Sequence, residues 1–292
     1  MDPTSACVPG PGRGRGPVRP RSYRALRAAR RGSVLVVGVM LILAGSTGAA
    51  AARRLAATAG HEPSVRTTAV SFNGCSELAS ITTISPARAR SVVPASFTLA
   101  GDDRGAPFVV RVADCDAVTV DGGSSEPAAV AQLGISIVSP DGSGDINNYT
   151  LWYYTNNRRL AATLHRMGVA AQWTPQLGYD LAENPDHTAG KLTIDLSSGR
   201  PPLTITAPIS EPVSTPTLFL ANWWAQSDAS RTKMSTPIPT LRFGLATATL
   251  HTPRASQLGR LIGSETVSFP LLDTFNRFAN ASMTVSRTDQ SE

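Results

Sequence analysis

From Phe97 to Phe269 the chain runs in short stretches of alternating apolar and polar residues, cut off every few positions by Gly, Pro or Asp-Gly. Such punctuation leaves no room for long helices and favours β-structure. With 24 Gly and 22 Pro in 292 residues and only 16% charged residues, coiled coils and long solvent-facing helical arrays are excluded. In VAQLGIS, Leu133, Ile135 and Ile137 share one face while Gln132, Gly134 and Ser136 share the other, the period of a half-buried strand. In NYTLWYYT, Tyr149, Leu151 and Tyr153 stand opposite Trp152 and Tyr154, so this strand is expected to be central and covered on both sides. In KLTIDLS, Leu192, Ile194 and Leu196 face one way and Lys191, Thr193 and Asp195 the other. PFVVRV, PLTITAP, TLFLANWW, LRFGLATATLH and ETVSF read as further strands, with Asp121-Gly122 and Asp141-Gly142 as turns.

One main helix is expected from Asn156 to Met167, capped by Thr155 or Asn156 and stopped at Gly168, with Leu160, Leu164 and Met167 at helical spacing. Two shorter helices are expected at Ser256–Ile262 and Leu271–Asn280, the latter from the spacing of Phe275 and Phe278. No linker divides residues 67–285, which read as one predominantly β, α+β domain followed by a tail at 286–292.

The formal charge of +6 is concentrated at the N-terminus. Residues 1–54 hold ten Arg and one Asp, a net +9, while the remainder carries 17 basic against 20 acidic residues. The body has no clustered basic surface, so nucleic acid is excluded as its partner. Residues 1–32 have the Gly, Pro and Arg composition of a disordered leader. Residues 33–52 carry no charge and taper from VLVVGVMLILAG to small residues between Arg30-Arg31 and Arg53-Arg54. This is the pattern of a signal peptide or, uncleaved, a membrane anchor. Basic residues ahead of it imply that residues after about 53, a 53–66 linker and the body, lie outside the cytoplasmic membrane, either secreted or held on its outer face.

Of three cysteines, Cys7 precedes the membrane segment, leaving Cys75 and Cys115 to form one disulfide in an oxidising compartment. No nucleophile elbow, zinc helix, C-x-x-C pair or phosphate loop occurs, and no metal or cofactor is expected. Asp141, Ser143, Asp145 and Asn147 alternate like a calcium loop but lack its glycine and final glutamate, so they read as a hairpin loop. Asp114 and Asp116 read as a solvated strand edge, and His165 as a surface residue of the main helix.

The order of these features resembles the acetoacetate decarboxylase family. The likeness covers residues 90–262: Val93-Pro94 opening a strand, PFVVRV, NYTLWYYTNN, one helix, then Pro175-Gln176-Leu177-Gly178-Tyr179 and KLTIDL, with Arg254–Gly263 as weaker support. The resemblance implies an antiparallel β-barrel-like domain around an enclosed hydrophobic pocket. It also implies a lysine whose desolvated amine forms a Schiff base, carried in a Pro-Lys-Lys-Leu-Gly-Tyr stretch. Here that stretch is one residue shorter and holds Gln176, whose amide cannot form an imine. Decarboxylase activity is expected to be lost, leaving a domain that binds a small apolar or oxo-acid-like molecule through Arg111, Trp152, Tyr154, Gln176 and Tyr179. The enzymatic alternative assigns imine chemistry to Lys191 or Lys233, the only lysines of the body, both expected at the solvent-facing surface. A third reading is an envelope interaction protein using exposed aromatics.

Overall fold

The computed structural model describes residues 64–227 and 230–289. The leader, the apolar segment, most of the linker and Cys7 lie outside the described residues. In chain order the elements are β1 (Val65–Ile84), α1 (Pro86–Arg90), β2 (Ala106–Val120), β3 (Ser125–Ser136), β4 (Ile146–Thr155), α2 (Arg158–Arg166) and β5 (Ala171–Trp173). They continue with β6 (Gly178–Glu183), β7 (Ala189–Leu196), β8 (Leu203–Ser210), β9 (Thr217–Ser227), β10 (Ser230–Phe243), β11 (Thr249–His251), α3 (Gln257–Ile262), β12 (Thr266–Ser268) and β13 (Leu272–Asp289).

Seven strands close on themselves in the order β3-β2-β1-β13-β10-β9-β4, with β4 returning to β3. Neighbours are antiparallel except β4 and β9, and the short β5 extends β4 in parallel. A second sheet, β12-β11-β8-β7-β6, packs against the outside of the barrel. Closure leaves few free edges and gives most strands two buried faces. Inside lie Val70, Phe72, Val109, Ala113, Val130, Tyr153, Trp223, Met234 and Met283, with Leu160, Leu164 and Met167 of the α2 region capping one end. Between barrel and outer sheet lie Leu78, Val110, Leu133, Tyr154 and Phe275 against Leu192, Ile194, Leu196 and Ile205.

This double coverage explains where the structure departs from the sequence reading. The 132–137 stretch is not half-buried: Gln132 and Gly134 turn into the barrel and Leu133 and Ile135 under the outer sheet. The expected helix at Leu271–Asn280 is strand β13, paired with β1 from Leu272 to Thr288. Phe275 and Phe278, three apart, sit on opposite faces of that strand, each in its own core, so long-range pairing overrides the helical spacing. Val93-Pro94 opens no strand: it follows α1 in a turn closed by Phe97 N–H donating to the Pro94 carbonyl at 3.0 Å. LRFGLATATLH is broken at Gly244, where the chain leaves the barrel for the outer sheet and a Cβ would meet the Ser210 carbonyl at 2.3 Å.

The main helix forms as expected, one residue later at its cap: the Asn157 side chain accepts from Leu160 N–H at 2.8 Å, and Gly168 takes φ +85° as the stop. Ser256 caps α3 in the same way, accepting from Gly259 N–H at 2.9 Å. The Asp121-Gly122 turn has both residues at positive φ, 49° and 65°, the geometry that joins β2 to β3 without splaying them. Cys75 and Cys115 are directly opposite on β1 and β2, their Cα atoms 4.1 Å apart, and are joined by a disulfide.

Candidate active-site chamber

Seven strands leave more room at one end of the barrel than their side chains fill. The end beyond α2 holds a cavity of about 200 Å³. Ile81, Ile146, Phe219, Phe243 and Leu272 line its mouth; Val109, Ala221 and Leu241 line its walls. Trp223 also lines the cavity and packs closely on β3 at Gly134, where a Cβ would meet its ring at 2.8 Å. Leu218 and Leu271 are exposed at the same end, and Leu272 is half-exposed.

The floor is polar. Glu77, the only acidic residue of β1, and Arg111, the only basic residue of β2, point inward from neighbouring strands and pair at 2.6 Å from Arg Nε to Glu Oε2. Arg111 Nη1 donates to Gln132 Oε1 at 2.7 Å, and Asn276 Nδ2 donates to Glu77 Oε1 at 3.2 Å. Both charges are buried, so each needs the other: an isolated ion at this depth would cost several kcal/mol. The pair makes the floor electrically neutral. Gln132 Nε2, Asn276 Oδ1 and Trp223 Nε1 are buried and have no hydrogen-bond partner. None of the three reaches the cavity's surface, which is almost wholly apolar, an arrangement that accommodates a small apolar molecule.

Of the five residues proposed from sequence, only Arg111 faces this chamber. Tyr154 points outward beneath the outer sheet, its hydroxyl 3.4 Å from the Pro201 carbonyl. Trp152 lies half-buried on the outer face beside Arg88 and Arg260. Tyr179, at the start of β6, also lies outside the barrel, its buried hydroxyl unpartnered; burial pushes its phenol up. Gln176 is exposed in the turn that leads into β6. Sequence reasoning missed Glu77, Gln132, Trp223 and Asn276 as a group. The available signal was a lone carboxylate in one Ser/Thr-rich segment and a lone guanidinium in an apolar one, which a closed barrel can bury only together.

Neither lysine lines the chamber. Lys191 is exposed on β7. Lys233, expected at the solvent-facing surface, lies instead on the outer face of β10 and is only one-fifth exposed. Its ammonium lies 2.5 Å from Asp141 Oδ2, 2.7 Å from Ser143 Oγ and 5.2 Å from the centre of the Trp224 ring. Burial works to raise the Asp141 carboxyl, but hydrogen bonds from Lys233 and Ser143 outweigh it and hold it at about 2. An amine held in a salt bridge on the outer face of the barrel is not placed to condense with a ketone inside it.

No family model matches the sequence, and no curated protein matches it. Among solved structures the chain is similar to acetoacetate decarboxylase from Legionella pneumophila subsp. pneumophila str. Philadelphia 1, at 11% identity over 76% of this chain and 87% of that one, TM-score 0.47. It is similar to an acetoacetate decarboxylase-like enzyme from Sphingomonas wittichii RW1, at 11% identity over 77% and 93%, TM-score 0.47. It is also similar to the enduracididine biosynthesis enzyme MppR with HEPES buffer bound, at 10% identity over 77% and 86%, TM-score 0.46.

Proposed function

We propose that this chain is an exported, acetoacetate-decarboxylase-like domain that lacks the imine-forming lysine and binds a small uncharged molecule in its barrel. The observation that carries this reading is the neutral floor: Arg111 is already paired with Glu77 beneath an apolar chamber without an amine. A carboxylate entering here would be drawn to Arg111 but repelled by Glu77 at nearly the same depth, and would lose its hydration. A neutral carbonyl compound meets no such cost. Its apolar body lies against Val109, Ala221 and Leu241. At about 200 Å³ the chamber is below the range of about 300–1,000 Å³ typical of drug-sized ligands, so the occupant is a few carbons long.

The signal-peptide pattern and the paired cysteines support an extracytoplasmic location. Binding is tested by calorimetric titration with 2-pentanone against acetoacetate at neutral pH. The ketone is expected to bind saturably and at least tenfold more tightly; equal or tighter binding of the carboxylate would overturn the neutral-ligand reading.

A further inference from the structure

A second cavity lies on the outer surface of the barrel and shares no wall with the chamber's mouth. β10 carries Pro237 and Pro239, which offer no N–H to a neighbouring strand. Its ladder with β13 lapses between Ser235 and Arg242, and β10 also slips against β9 between Ile238 and Leu241. Beside this seam is a cleft of about 520 Å³ lined by Ser76, Asp114, Asp116, Thr240, Arg242 and Arg277, among others.

Register fixes the order of its charges. Asp114 pairs with Ser76, Ser76 with Arg277, and Arg277 with Arg242, so the four stand in one row across β2, β1, β13 and β10. Strand spacing of about 4.8 Å separates the ends of this row by about 14 Å. At one end Asp116 joins Asp114, its carboxylate folded over Gly74, where a Cβ would meet Asp116 Oδ2 at 2.1 Å. Among the described residues neither carboxylate has a cationic partner, and burial together with Asp116 pushes the Asp114 carboxyl up. At the other end, Arg277 is taken up by Glu183 and Glu211, whereas the exposed Arg242 makes one hydrogen bond, to the Ser214 carbonyl at 3.3 Å. Thr240, two residues before Arg242 on the same strand, has a buried and unpartnered hydroxyl.

We propose that this cleft binds a short zwitterionic peptide, its ammonium against Asp114 and Asp116 and its terminal carboxylate against Arg242. An extended tripeptide spans about 10 Å, which fits a row of about 14 Å once the side chains lean inward. Ser76, between the two ends of the row, lies where its amide groups pass.

The test is calorimetric titration of the full chain with tri-alanine, with its N-acetylated form and with its C-terminal amide. Saturable binding of tri-alanine is expected, weakened at least tenfold by either blocking group. Asp116→Asn is expected to weaken tri-alanine about tenfold and leave the N-acetylated peptide unaffected. Arg242→Gln is expected to do the same for tri-alanine while sparing the amide. Both side chains are exposed, and unchanged thermal unfolding of the variants shows that the effect is local. Absence of saturation, or equal binding of free and blocked peptides, would overturn the proposal.

Discussion

Arg111 Nε lies 2.6 Å from Glu77 Oε2 inside the barrel, with Gln132 and Asn276 completing the network. Glu77→Gln leaves Arg111 charged, buried and unpaired. It is expected to lower stability by about 3–5 kcal/mol in urea unfolding. Replacing both residues with methionine removes the two charges together and is expected to recover most of the loss. A Glu77→Gln variant within about 1 kcal/mol of the parent would show that water reaches the floor.

Gly134 and Trp223 shape the chamber wall. Gly134→Ala puts a methyl group where the Trp223 ring and the Tyr149 carbonyl stand, 2.8 and 2.3 Å away. The expected cost is about 1–3 kcal/mol with a shift in tryptophan fluorescence, since the buried indole must move. An unaltered emission spectrum would contradict the packing described.

The disulfide joins positions 40 apart on adjacent strands. On the chain-entropy model its removal costs about 4 kcal/mol. Cys75→Ser with Cys115→Ser should therefore lower the urea midpoint strongly, and thiol titration of the unfolded, unreduced body should find neither cysteine free. Two free thiols in protein recovered from the cell envelope would contradict both the bridge and the assignment to an oxidising compartment.

Asp141 titrates at about 2 in the folded chain because Lys233 and Ser143 donate to its carboxylate, against an ordinary value near 3.9 when unfolded. The folded value is the lower one, so the stabilisation is present above about pH 4 and is lost as pH falls toward 2. The pair is partly exposed, which keeps the effect small. Melting curves between pH 2 and 5 should show a shallower acid loss for Asp141→Asn than for the parent. Parallel curves would contradict the pairing.

Strands whose alternation met solvent on one side were legible in the sequence: Leu192, Ile194 and Leu196 are buried as expected, with Lys191 and Asp195 outside. So were α2, α3 and the Asp121-Gly122 turn, whose signals are local caps and positive-φ positions. What was not legible depends on closure. β1 is rich in Ser and Thr and shows no apolar face, because its polar Glu77, Ser80 and Thr82 are buried by partners far away in sequence. β13 mimics a helix through Phe275 and Phe278 for the same reason: when both faces are covered, period two disappears. The site suffered likewise. Trp152, Tyr154 and Tyr179 looked like a pocket because they are large and close in sequence to the family motif. The parity of each strand instead sends them outward, and it sends Arg111 in to meet a glutamate 34 residues away.

Among the described residues no lysine lines the barrel's chamber, and borohydride trapping tests most directly whether any amine condenses with a ketone. The protein is incubated with acetoacetate or pyruvate, reduced and mapped by peptide mass. No reduced adduct is expected on Lys191 or Lys233, and no carbon dioxide is expected from acetoacetate above the uncatalysed rate. A stable adduct on either lysine, abolished by Lys→Arg at that position, would contradict the account.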